Sequence, residues 1–135
     1  MTMTATQTQP SQTFGLGIRK ILLIDALTGL AMGLLLVTSA GVLSPWLGLP
    51  QDFVFGAGVT VLLFFLMLWL ASRAGAGEKP PAFVTWLVIL GNAAWVVASV
   101  LTIALWFSPT VLGAAFVSFQ ALVVLVLTVM EYRGR

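Results

Sequence analysis

Four long apolar runs, at about residues 18–43, 53–72, 83–107 and 111–130, take up most of the chain, and none alternates apolar with polar positions. A helix needs about 20 apolar residues to cross a 30 Å hydrocarbon core, whereas a barrel strand alternates over about 10. Each run therefore predicts a membrane-spanning helix. The breaks between runs are short and built from helix breakers: Ser44-Pro45, the stretch from Gly75 to Pro81, and Ser108-Pro109. Proline lacks a backbone donor and disfavours helix in the residue before it. Connections this short place consecutive helices side by side in opposite directions. The expected fold is all-α, an antiparallel four-helix transmembrane bundle over residues 18–132. A polar, uncharged tail without apolar period at 1–17, whose composition is that of a disordered segment, and a short basic end at 133–135 flank it.

The first run could be mistaken for a secretion signal, because Arg19 and Lys20 precede it and Thr38, Ser39 and Ala40 are small residues near its end. The run is longer than the 7–15 apolar residues of a signal and contains Asp25, so it reads as a retained span.

Composition agrees: 60% of the 135 residues are hydrophobic and 7% charged, against about 25% charged in soluble domains. Mean hydropathy is +1.10. A water-soluble domain of this length could not bury that much apolar surface. The net charge of +2 comes from six basic and four acidic residues spread along the chain, not from the clustered basic face that nucleic acid requires. The partner expected is the lipid bilayer, and no nucleic acid. With no His and no Cys, nothing supplies a metal site of ordinary spacing, a haem ligand or a nucleophile-base pair. No cofactor and no catalytic residue are expected.

Charge gives an orientation. Arg19, Lys20, Arg73, Lys79, Arg133 and Arg135 all fall on one side of the expected membrane, and the two opposite loops carry only Asp52. The positive-inside rule then puts both termini and the middle loop in the cytoplasm. Trp69, Trp86 and Tyr132 fall near that side and Trp46 and Trp106 near the other, as aromatic belts do; Trp95 alone is mid-span. An offset of 64 aligns Ser44-Pro45 with Ser108-Pro109 and Phe55, Val59 and Leu63 with Phe119, Val123 and Leu127. It reads either as a parallel repeat of two hairpins or as chance in a composition dominated by these residues.

The polar residues inside the runs are few. Asp25, Gly29, Gly33 and Gly41 share one face of helix one, and Gly29 with Gly33 makes a GxxxG pair that lets a neighbouring backbone approach closely in lipid. With helix four ended at Met130, Asp25 is the only ionisable residue within a span, about 6–10 Å inside the interface by helix rise. Arg19 and Lys20 do not share its face. Thr85, Asn92 and Ser99 repeat every seven residues on helix three, with Asn92 roughly 13 Å deep. Gln120, with Ser118 nearby, enters from helix four. These residues predict one intramembrane polar cluster of Asp25, Asn92, Gln120 and Ser99, in which Asp25 accepts from Asn92 and Gln120. The cluster is either structural glue between helices or a proton or cation site. Trp95, three residues after Asn92, either fills the core or lines a lipophilic pocket beside the cluster.

Asp25 with Gly29 and Gly33, Leu-Gly-Leu-Pro at Leu47 to Pro50, Asn92-Ala-Ala-Trp95 and Gln120 together resemble a group of small bacterial four-span integral membrane proteins, over residues 18–132. The resemblance implies a bacterial inner-membrane protein and carries no activity with it. Ser44-Pro45-Trp46 followed by Leu-Gly is also similar to the SPW-repeat membrane proteins, although the second copy, Ser108-Pro109-Thr110, lacks the Trp. The expected role is non-enzymatic: a structural or accessory subunit that associates with itself or with a larger membrane complex. The alternative is a small oligomeric transporter or channel that uses Asp25 as a proton or cation site.

Overall fold

The computed structural model describes residues 17–135, so the tail expected at 1–17 lies outside the described residues except for Gly17. The described chain is helical throughout: α1 (Ile18–Leu47), α2 (Gln51–Ser72), α3 (Ala82–Leu101), a π-helical turn (Thr102–Trp106) and α4 (Val111–Gly134). Taking α3 with its π-helical turn, all four are long and apolar enough to cross a membrane. Large apolar side chains such as Leu63, Leu90 and Phe83 face outward, as they do when the surrounding solvent is hydrocarbon rather than water.

α1 runs past Ser44-Pro45, where the sequence places a break, and ends only at Leu47. Gly48 stops it with φ 68° and ψ 32°, a left-handed conformation that glycine enters without steric cost. Its N–H donates to Ser44 O, while the Ser44 hydroxyl donates to Leu49 O at 2.6 Å. Pro45 is tolerated, but the helix bends: Ser39 leaves helical geometry, and Thr38 just before it donates its hydroxyl to Leu34 O. Proline's missing donor and hydroxyl back-bonding of this kind both loosen the ladder.

α1 packs along α2, α4 lies against both α1 and α3, and α2 touches α3 only slightly. At one end Arg19 donates to the carbonyls of Ser72, Gly75, Gly77 and Glu78, and Lys79 Nζ to Arg135 O. We call this the basic end. Arg135 stacks on Trp86 and Tyr132, and Arg73 on Trp69. At the other, proline end, Thr110 caps α4 by accepting from Gly113 N–H, donates its hydroxyl to Trp46 O and its N–H to Leu47 O. The Ser-Pro segments thus dock on each other. Two apolar cores result, one around Leu22, Ala26, Leu68 and Val88 and one around Leu36, Leu47, Val54 and Val117.

The glycine face of α1 is divided in its use. Gly33 is buried against α2, where an added Cβ would come within 2.7 Å of Leu62 and 3.2 Å of the Gly58 carbonyl. Gly58 answers it: a Cβ there would lie 2.8 Å from Leu36 and Val37. Gly29 has ordinary room, 3.7 Å to Val61, and Gly41 is exposed with only the Gln51 side chain near. The close contact is therefore Gly33 on Gly58, within one chain. We expect Gly33→Ile and Gly58→Ile each to cost about 1–3 kcal/mol through overpacking, while Gly29→Ala stays near wild type. Unfolding in mixed micelles checks this, and equal stability of all three variants would contradict it.

Candidate functional site

Asp25 is seven residues into α1 on its buried face, which runs Ile18, Ile21, Leu22, Asp25 and Ala26. Asn92 is midway along α3 on the inward line Thr85, Asn92 and Ser99, all three buried. Glu131 lies in the last turn of α4, on the same buried stripe as Ala121 and Leu127. These three polar residues meet. Asn92 Nδ2 donates to Asp25 Oδ2 at 2.7 Å and to Glu131 Oε1 at 2.9 Å. Asp25 is 5% exposed, Asn92 1% and Glu131 0%. Laid end to end, the 2.7 and 2.9 Å bonds put the two carboxyl oxygens at most 5.6 Å apart. One amide thus ties α1, α3 and α4 at a single point.

The tie corrects two expectations. Asp25 is not the only ionisable residue in a helix that crosses, because α4 continues past Met130 to Gly134 and carries Glu131 into the interior. Glu131 had a signal in the sequence: it is 11 residues, close to three full turns, after Gln120, and so shares its face. Nor does Gln120 bond Asp25. It forms a second polar group one layer nearer the proline end, accepting from Trp95 Nε1 at 2.8 Å and donating to Ser99 Oγ and Val117 O. Ser99 in turn donates to Trp95 O. The single cluster expected is two clusters, Asp25 with Asn92 and Glu131, and Trp95 with Gln120 and Ser99. Ser118 belongs to neither set of bonds.

Two cavities accompany them. A smaller one of about 140 Å³ borders Asp25, Asn92, Phe64 and Leu68. A larger one of about 390 Å³ occupies the half toward the prolines. Met32, Trp95 and Gln120 line both and form the partition between them. Trp95, read as either core filler or pocket wall, is half-buried and does both. Toward the basic end, the turn of α1 before Asp25 carries Ile21 and Leu22, which are fully buried, and Gly134 packs on Ile18 and Ile21.

Chemically, the first cluster has two carboxyls and one neutral donor. Glu131 Oε2 is buried with no hydrogen-bond partner. Among the described residues no Lys or Arg side chain bonds either carboxyl, since Arg19 is occupied at the helix ends. No group of three metal-ligating side chains occurs among the described residues.

If Asn92 holds three helices through its amide, Asn92→Leu leaves two buried carboxyls without a donor and should cost about 1–3 kcal/mol. Thr85→Val, one heptad away on the same face, should cost less. Equilibrium unfolding in mixed micelles compares the two, and an Asn92→Leu protein as stable as wild type would contradict the assignment.

No protein-family model matches this chain, and no curated protein or solved structure matches it, so the resemblances drawn from its short motifs gain no support and the site is read from its own geometry.

Proposed function

We propose that this chain is a multi-pass protein of a bacterial inner membrane, an antiparallel bundle with both termini in the cytoplasm, and that its carboxyl pair is the proton or monovalent cation site of a small transporter. The observation that carries the reading is the convergence of Asp25 and Glu131 on one amide, with Glu131 Oε2 left without a partner. Glue needs only neutral amides and hydroxyls. Two acids in one buried spot are costly in a low dielectric unless a positive charge joins them. α3 contributes Asn92 and α2 only apolar groups such as Phe64 and Leu68, so the balancing charge comes from outside the chain. The smaller cavity, which borders Asp25 and Asn92 and reaches Trp95 and Gln120, supports approach to the pair from its proline side, and the fully buried Ile21 and Leu22 stand on its basic side. Self-association, or assembly with a larger complex, remains part of the proposal, but it would use a face other than the Gly33 seam, which is spent on α2.

Proteoliposomes carrying an internal pH or cation indicator and an imposed gradient test the site. We expect wild-type flux above protein-free vesicles, and a drop to the protein-free level with Asp25→Asn or Glu131→Gln. Absence of wild-type flux under proton, sodium and potassium gradients would favour the structural accessory subunit instead.

The orientation has its own test, because the chain lacks cysteine. Gln51→Cys and Gly77→Cys are both at exposed positions. An impermeant thiol reagent applied to intact cells should label the first and spare the second. The reverse pattern would invert the topology.

A further inference from the structure

The larger cavity differs from the carboxyl site in size and in having no charged side chain in its lining. Its volume, about 390 Å³, falls within the roughly 300–1,000 Å³ of small-molecule sites. Leu36, Leu49, Phe53, Val54 and Phe116 belong to its apolar wall, and Trp95, Ser99 and Gln120, bonded to one another, form a polar patch. It is not sealed. α2 and α3 barely touch, and Gly56, Thr60 and Trp106, which line the cavity, are exposed. In a bilayer that gap opens to acyl chains. The π-helical turn Thr102–Trp106 adds an extra residue to the last turn of this helix where it borders the cavity, a distortion that often marks functional sites.

The hydrogen-bond accounting of the polar patch is one-sided. Both Gln120 amide hydrogens are used, on Ser99 Oγ and Val117 O. The Trp95 indole N–H is used on Gln120 Oε1, and the Ser99 hydroxyl hydrogen on Trp95 O. The hydroxyls of Thr60 and Thr102 bond Gly56 O and Ala98 O in their own helices. On Trp95, Ser99 and Gln120 the capacity left is lone pairs on Gln120 Oε1 and Ser99 Oγ; Thr60 and Thr102 keep lone pairs as well, and the indole N–H of Trp106, exposed and seven residues from Ser99, is a lining donor outside this patch. The patch accepts and has nothing left to donate.

We propose that this cavity binds a neutral long-chain alcohol drawn from the bilayer, its terminal O–H donating to Gln120 Oε1 or Ser99 Oγ and its chain leaving between α2 and α3. A ketone, ester or ether of the same length finds no free donor on the patch and binds less well.

Protein in lipid nanodiscs with tritiated dodecanol tests this. Saturable uptake above lipid-only discs is expected, with unlabelled dodecanol competing about two- to tenfold better than dodecyl methyl ether, the margin of one hydrogen bond. Gln120→Leu should erase the difference between alcohol and ether. Because that change also strips Trp95 of its acceptor, Ala57→Phe serves as a second variant: its ring enters the cavity from α2 without touching the hydrogen bonds, and saturable uptake should disappear. Absence of saturable uptake in wild type, equal competition by alcohol and ether, or undiminished uptake by Ala57→Phe would each overturn the proposal.

Discussion

One side-chain nitrogen has to serve two acids on two other helices, and the arrangement of α1, α3 and α4 depends on that bond pair. In hydrocarbon an unpaired polar group has no water to fall back on. Asp25 and Glu131 therefore hold their helices in whatever rotation and depth keeps both within reach of Asn92. Apolar contacts in lipid give little preference for one register, because lipid tails are as apolar as Leu. The amide supplies the register that the many exposed Leu, Val and Phe side chains do not.

The rest of the fold accommodates that point. α2 makes no polar bond to it and is held instead by shape, through Gly33 and Gly58, and by Arg19, which satisfies carbonyls at the end of α2 and in the following loop. The Thr110 contacts to Trp46 and Leu47 fix the far end of α4 against α1. With α2 thus fastened mainly to α1, a gap is left between α2 and α3, and the larger cavity is the consequence of that gap. Polar tie, glycine seam and cavity are parts of one packing solution.

Four apolar helices with the breaks in the right regions were legible in the sequence, because 20-residue apolar runs and prolines are local signals. Asn92, Ser99 and Thr85 were legible as one inward face because a heptad needs only counting. Glu131 was not, since ending helix four at its last apolar residue, Met130, placed the acid outside the span; helices do not end where hydrophobicity does, and α4 continues to Gly134. The partner of Gln120 was misassigned for a related reason. Gln120 was legible as a polar residue of helix four, but which indole or carboxyl lay opposite depended on how α3 and α4 were rotated, and composition carries no rotation. Gly58 was not legible because, unlike Gly29 and Gly33, it has no second glycine four residues away, and Gly41 shares a face with Gly33 yet lies beyond the bend at Ser39.

The central claim, that Asp25 and Glu131 act as one unit through Asn92, is most directly tested by a double-mutant cycle on unfolding free energy in bilayers, using Asp25→Asn, Glu131→Gln and the pair. Residues in one hydrogen-bond network couple by about 0.5–3 kcal/mol, whereas independent sites add to within about 0.3–0.5 kcal/mol. A double variant that departs from the sum of the singles by more than about 0.5 kcal/mol is the result predicted here. Additive effects would mean that the two acids do not share a site.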